Sequence, residues 1–241
     1  MKNIGLIGCG NIAETYFRAQ EYFNNINFVA CADINLDAAK KTAEQYNIAA
    51  LSVDEIFNDK NVDIILNLTI PQAHYEISKR ALEANKHVYC EKPMSVKFDD
   101  AKELLNLAKK NSLYIGNAPD TFLGGGGQLS RNVIDNNDIG QVLTGNFIFA
   151  FPGVQDFHPS PESWFQEGGG PVIDMGPYFF TTLINLLGPV KNIRGRGAKF
   201  FDKREYKAGP KKGETFNVDI PTSYMFNIEF QNKAIIQGFI S

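Results

Sequence analysis

The sequence predicts an α/β protein in two parts: a doubly wound parallel sheet over residues 1–118, then an α+β domain with an open, mostly antiparallel sheet over residues 119–241. Three observations predict it. Short β-rich apolar runs alternate with segments of helical spacing as far as Gly116, which implies βαβ crossovers and a sheet covered on both faces. A Gly-x-Gly-x-x-Ala turn, Gly8 to Ala13, separates the first run from the first helix. After Asn117 the strands become longer, several alternate, and helices become few.

Each element has its own signal. Ile4–Gly8 is a short buried-strand run, and Ile12–Phe23 carries apolar side chains at roughly helical spacing. Phe28–Ala32 is a second strand. The Ala- and Lys-rich Leu36–Tyr46 is a helix with Asn35 as its N-cap. Val62–Leu68 is a third strand, followed by a helix from Pro71 to Ala84 that ends at the turn-prone Asn85-Lys86. His87–Cys90, a helix over Phe98–Lys110 and a strand over Leu113–Gly116 complete the first part. The second part opens with four glycines, 124–127. It has strands at Thr144–Phe151, Val190–Phe200, Thr222–Phe230 and Lys233–Ile240, the last two forming a hairpin across Gln231-Asn232. One helix, Tyr178–Leu187, stops at Gly188-Pro189. The Lys- and Gly-rich stretch Asp202–Gly213 has no apolar face and is predicted to be a solvated loop, with a functional lid as the alternative.

Composition excludes several classes. Hydrophobic residues at 44% and charged residues at 21% rule out a disordered, collagen-like or coiled-coil chain. A formal net charge of −3 gives no general attraction to nucleic acid or anionic membrane. No apolar run has the length of a membrane span, and Met1–Gly10 reads as a first strand rather than a signal peptide. Cys9, Cys31 and Cys90 form no CxxC pair and no metal-ligand spacing, so no metal site is expected; so sparse a set suits a reducing cytoplasm.

The chemistry gathers at the strand ends. Gly8 permits the tight turn, Gly10 lets a pyrophosphate approach the backbone, and Ala13 allows close packing of helix on strand. The helix start offers free N–H groups to phosphate. Asp33 ends the second strand at the distance expected of the acid that binds the adenosine ribose. Its carboxylate repels a 2′-phosphate, and no Lys or Arg follows until Lys40, so NAD is favoured over NADP in what is predicted to be a Rossmann domain. Lys92, in Glu91-Lys92-Pro93 after the strand His87–Cys90, lies where ligands meet a parallel sheet.

These motifs, with Asn67–His74 between them, occur in the order and spacing of one family. The chain resembles the Gfo/Idh/MocA oxidoreductases, a family that includes glucose–fructose oxidoreductase, inositol dehydrogenases and dihydrodiol dehydrogenase, over essentially its whole length. In the second half, Gly168–Tyr178 looks like the family's glycine-rich approach to its catalytic helix. The family commonly has Asp-x-x-x-His there; this chain has Asp174 and Tyr178, as some members look similar in having. The resemblance implies cofactor contacts from Gly8, Gly10, Asn11, Ile12, Asp33, Thr69, Pro71, His74, Glu91 and Lys92, and a cis Lys92–Pro93 peptide. His74 is alternatively a plain helix-surface residue. Asp120, His158 and Trp164 are candidates to line a substrate pocket, with a purely structural role as the alternative for each.

The implied function is hydride transfer between NAD and a CH–OH group of a sugar, polyol or cyclic alcohol. Lys92, Asp174 and Tyr178 would be catalytic, with a helix N-cap as the alternative for Asp174 and a core aromatic for Tyr178, and no metal is needed. A Tyr phenol is a poor base at neutral pH unless a cation such as Lys92 stabilises phenolate. The rivals are an NAD-dependent glycosidase or epimerase of the same family and a non-catalytic NAD-binding or sensing protein. Family members usually continue well beyond Ser241, so the chain is expected to lack the C-terminal part of its second sheet. Self-association through that sheet is also expected.

Overall fold

The computed structural model describes residues Met1–Ser241. By its internal contacts the chain divides into two compact units, Met1–Ala118 and Pro119–Ser241.

The first unit alternates strand and helix: β1 (Lys2–Ile7), α1 (Ala13–Ala19), β2 (Ile26–Ala32), α2 (Leu36–Tyr46), β3 (Ala49–Leu51), α3 (Val53–Asn58), β4 (Ile64–Asn67), α4 (Pro71–Glu83), β5 (His87–Cys90), α5 (Phe98–Lys110) and β6 (Ile115–Asn117). The six strands form one parallel sheet in the order β3-β2-β1-β4-β5-β6. Because successive residues of a strand face opposite sides, the sheet feeds two apolar cores. Leu6, Phe28, Cys31 and Leu66 pack with Ala13, Phe17 and Ala43 on one face. Ile7, Ala32, Ile65 and Val88 pack with Ile56, Leu82 and Leu104 on the other. The strand order reverses between β1 and β4, which makes the C-terminal ends of those strands the topological switch point where ligands bind open α/β sheets.

Local signals explain most boundaries. Asn35 caps α2, its Oδ1 accepting from the N–H groups of Asp37 and Ala38 at 3.1 and 3.4 Å. The first helix is shorter than predicted, stopping at Ala19 rather than Phe23, because Tyr22 and Phe23 find no core and remain exposed. β3 and α3 were not anticipated. The signal for α3 is a capping box: Ser52 Oγ accepts from Glu55 N–H, and Glu55 Oε2 accepts from Ser52 N–H.

The second unit holds α6 (Gly125–Asp135), β7 (Thr144–Phe149), α7 (Pro171–Leu187), β8 (Val190–Ala198), β9 (Lys203–Glu205), β10 (Thr215–Asn217), β11 (Ser223–Phe230) and β12 (Ile235–Ile240). Four strands make a mixed sheet, β7-β12-β11-β8. β11 is antiparallel to both neighbours, with the expected β11–β12 hairpin, whereas β7 joins β12 in parallel. Phe180, Leu183 and Leu187 of α7 cover Ile228, Phe230 and Ile236 of this sheet.

The glycine run forms the first turn of α6, where a Cβ on Gly127 would collide with the Phe122 carbonyl. Two expectations for this unit are corrected. The catalytic-type helix begins at Pro171 rather than Tyr178. Pro171 occupies its first turn, where a missing N–H costs nothing, and Pro177 is tolerated inside it. The stretch Asp202–Gly213 is not a solvated loop throughout. It contributes β9, paired antiparallel with β10, and buries Tyr206 with Phe216, Val218 and Phe165.

Candidate dinucleotide and catalytic site

At the C-terminal end of β1 the chain turns through Gly8 with φ +104°. A Cβ there would lie 2.6 Å from the Leu68 carbonyl, so glycine is demanded by the neighbouring β4–α4 segment. Gly10 differs: a Cβ there would meet no protein atom within 4 Å. Protein packing therefore does not require its glycine, while a phosphate approaching the backbone would. Asn11 and Ile12 follow, exposed, and α1 starts at Ala13 with no side-chain cap; the Ala13 and Thr15 N–H groups bond the Gly10 and Ile12 carbonyls. Asp33, just past β2, accepts from the N–H of Cys9 at 2.7 Å through Oδ2 and from that of Asn35 at 2.8 Å through Oδ1. Two backbone donors thus fix the carboxylate beside the turn.

The end of β4 carries a buried polar group that the sequence reading passed over. Asn67 is fully buried, and its amide donates to His74 O and Ser78 Oγ. Its Oδ1 accepts from the N–H and Oγ1 of Thr69 at 3.2 and 2.7 Å. A polar residue ending an apolar strand was the available signal. Pro71 begins α4. His74 is 1% exposed, which excludes a plain surface role. Its Nε2 lies 2.9 Å from Thr69 O and its Nδ1 2.6 Å from Pro93 O, so the ring ties the β4–α4 segment to the turn after β5.

In that turn the Lys92–Pro93 peptide is cis. Glu91 Oε1 accepts from Tyr16 OH at 2.7 Å, and Oε2 accepts from Lys92 N–H at 2.8 Å. Asn117, at the end of β6, donates to Cys90 O and Glu91 O. Tyr16 and Asn117 are further residues of this network that no motif pointed to. Lys92 is half-buried.

In the second unit, Asp174 and Tyr178 stand one turn apart on α7, both half-buried. Asp174 is not the helix N-cap, a place taken by Gly170; its Oδ2 accepts from Trp164 Nε1 at 3.2 Å. Trp164 is in turn packed against Phe165 and Phe151. His158 and Asp120 are exposed; His158 Nδ1 accepts from Ser160 N–H at 3.0 Å.

No group of three His, Cys, Asp or Glu side chains is arranged to hold a metal ion. No helix is long and apolar enough to cross a membrane. Burial pushes the Cys90 thiol up to about 12.

Comparison with known proteins agrees with this geometry. Residues 2–117 match the profile of the oxidoreductase family with an NAD-binding Rossmann fold. Residues 128–241 match the Gfo/Idh/MocA C-terminal domain. The chain belongs to the Gfo/Idh/MocA oxidoreductase family. Within the family, inositol 2-dehydrogenase of Salmonella typhimurium is 31% identical over 146 residues, covering 58% of this chain and 43% of that protein. Myo-inositol 2-dehydrogenase of Thermotoga maritima is 25% identical over 215 residues, 86% of this chain and 61% of its own. The chain thus spans about half the length of the curated relatives it matches. The fold is also that of levoglucosan dehydrogenase, solved in complex with NADH and L-sorbose. The two superpose with a TM-score of 0.83 at 21% identity, over 99% of this chain and 66% of that one.

Proposed function

We propose that the chain is an NAD-dependent dehydrogenase that transfers a hydride between the nicotinamide and a CH–OH group of a sugar, polyol or cyclic alcohol. The observation that carries this reading is the Asp33 carboxylate, held by two backbone N–H groups at the end of β2 beside the open space at Gly10. A carboxylate there accepts from the vicinal hydroxyls of an adenosine ribose and repels a 2′-phosphate, which favours NAD over NADP. The relatives named for inositol and the fold neighbour solved with NADH support the same cofactor and substrate class.

In this reading Gly8, Gly10, Asn11 and Ile12 hold the pyrophosphate at the start of α1. Thr69, Pro71, His74 and Glu91 shape the nicotinamide side of the site. The bound cofactor supplies a hydride acceptor. The chain's own groups handle the proton. The Lys92 ammonium hydrogen-bonds the substrate oxygen and stabilises the alkoxide that develops on it. Tyr178 takes the hydroxyl proton, or returns it in reduction, its phenolate stabilised by cationic Lys92. Asp174, oriented by Trp164, accepts from a substrate hydroxyl. Asp120, His158 and Trp164 line the substrate pocket.

The test is a panel of polyols and sugars offered with NAD, read by NADH absorbance together with NAD titration. Net NADH formation is the expected result. Sugar release without net NADH, or tight NAD binding with no turnover on any polyol, would overturn it.

The molecule is further proposed to self-associate through the open face of its four-stranded sheet, where Ile148 and Met225 are 70% and 67% exposed. Sedimentation of Met225→Lys against wild type checks this. Three free thiols suit a reducing compartment, and the cytoplasm is the proposed location.

A further inference from the structure

Two cysteines of the first unit stand together beneath the glycine turn, and the proposed chemistry uses neither. Cys31, on β2, is fully buried in the apolar cluster under α1 and α2. Cys9, the middle residue of the turn, packs against the same cluster but is only half-buried. It lines a cavity of about 380 Å³ together with Gly10, Glu14, Lys41 and Thr42, so a small reagent can reach this residue.

The backbone holds the two residues close. Cys9 Sγ lies 3.7 Å from Ala32 O, the carbonyl of the residue after Cys31, and Cys9 N–H is bonded to Asp33. Cys31 Sγ lies 3.3 Å from Ala39 O, and both cysteine side chains pack into one apolar cluster. Their environments make the pair unequal. The neighbouring Cys31 side chain holds the Cys9 thiol below its usual range, while Cys9 and burial drive the Cys31 thiol up. A half-buried thiol with a lowered pKa beside a fully buried one is the arrangement of an attacking and a resolving cysteine.

We propose that Cys9 and Cys31 form an oxidisable dithiol site that a hydroperoxide converts to an intramolecular disulfide, and that this link weakens dinucleotide binding at the glycine turn. The Cys9 thiolate attacks the peroxide O–O bond, taking one oxygen as sulfenic acid and releasing the other as water or alcohol. Cys31 sulfur then displaces that oxygen as water and the S–S bond forms, so two thiols lose two electrons and two protons to one peroxide. A disulfide requires an S–S separation of about 2.05 Å. Closing to it draws the turn toward β2 and disturbs the Cys9 N–H bond that orients Asp33. The second half of the proposal rests on the NAD-binding reading; the first half does not.

The experiment treats reduced protein with hydrogen peroxide and follows intact mass, non-reducing peptide mapping and NAD titration. The expected product has lost two hydrogens, carries a cross-linked peptide pair containing Cys9 and Cys31, retains a free Cys90, and reverts with dithiothreitol. Its NAD affinity falls by about tenfold or more, the scale of losing one hydrogen bond to a charged group. Prior saturation with NAD slows the oxidation. In Cys31→Ser, whose hydroxyl can still donate to Ala39 O, peroxide gives no cross-link; Cys31→Ala serves as a second variant should the first fold poorly. Cross-linking that involves Cys90 or joins two chains, or full retention of three thiols, overturns the site. A Cys9–Cys31 disulfide with unchanged NAD affinity overturns the coupling to the cofactor. Failure of the reduced protein to bind NAD overturns the dehydrogenase reading, and the mass measurement still decides the dithiol.

Discussion

The Asp33 carboxylate accepts a 2.7 Å hydrogen bond from the backbone N–H of Cys9, which joins the acid at the end of β2 to the middle of the glycine turn after β1. One side chain therefore ties the turn to the end of β2 and places a carboxylate beside it. Asp33→Ala is expected to weaken NAD by about tenfold to a hundredfold, the scale of hydrogen bonds to a charged group, and NADP far less. Comparative titration of both dinucleotides checks this. Wild type binding NADP more tightly than NAD would remove Asp33 as the selector.

Gly8 and Gly10 separate a structural from a ligand-imposed requirement for glycine. Gly8→Ala places a Cβ 2.6 Å from the Leu68 carbonyl at a positive φ. We expect it to cost about 2 kcal/mol or more of stability. Gly10→Ala projects into open space and should leave the denaturation midpoint near wild type while weakening NAD. Urea unfolding and NAD titration on both variants distinguish the two effects; equal loss of stability would refute the contrast.

Lys92 and Tyr178 are expected to act as a coupled pair. Lys92→Met should lower kcat by about two to four orders of magnitude, the scale for losing a group that stabilises developing charge or moves a proton. NAD affinity should barely change. Tyr178→Phe should remove the proton step and flatten one limb of the pH profile. If the ammonium activates the phenol, the double variant loses less than the sum of the single losses. A double-mutant cycle on kcat/KM with one confirmed polyol measures this, and additive losses would show independent roles.

Glu162 accepts from Tyr206 OH and from Lys211 Nζ, clasping the β9–β10 hairpin to the segment that carries Trp164. The Tyr206 hydrogen bond, ahead of other donors, holds the Glu162 carboxyl at about 2 against an ordinary 4.5. A depressed carboxyl contributes stability above its unfolded value and loses it as pH falls toward the folded value. Wild type should therefore lose this contribution between about pH 4.5 and pH 2. Glu162→Gln should be less stable at neutral pH and show a shallower decline across that window. Urea midpoints from pH 2 to 6 on both proteins, read with about ten points each, give the slopes; parallel curves would count against the clasp.

Much of the first unit was legible because its signals are local. Asn35 sits immediately before the helix it caps, and the glycine turn, the strand before it and the acid after β2 fall within one βαβ unit. The Ser52–Glu55 capping box was equally local, but three- and six-residue elements such as β3 and α3 are too short for periodicity to separate from loop. In the second unit, Gly125 and Pro177 carry strong breaker signals, yet both lie inside helices, because intrinsic preference yields when packing holds the turn.

Residue order alone was enough to set the α/β class, the glycine turn after β1, the acid that follows β2 and the Glu91-Lys92-Pro93 turn, since each depends on neighbours a few residues away. Contacts between distant segments needed the folded chain. The buried cluster of Phe165, Tyr206 and Phe216, the bond from Trp164 to Asp174, the seating of His74 against Pro93 and the packing of Cys9 and Cys31 into one cluster leave no period in the sequence. Side chains brought together by sheet pairing and helix packing carry no mark of their partner until the intervening chain has folded. Function in this protein draws on both kinds of information: local motifs announce a ligand site, and long-range packing aims the groups that would serve it.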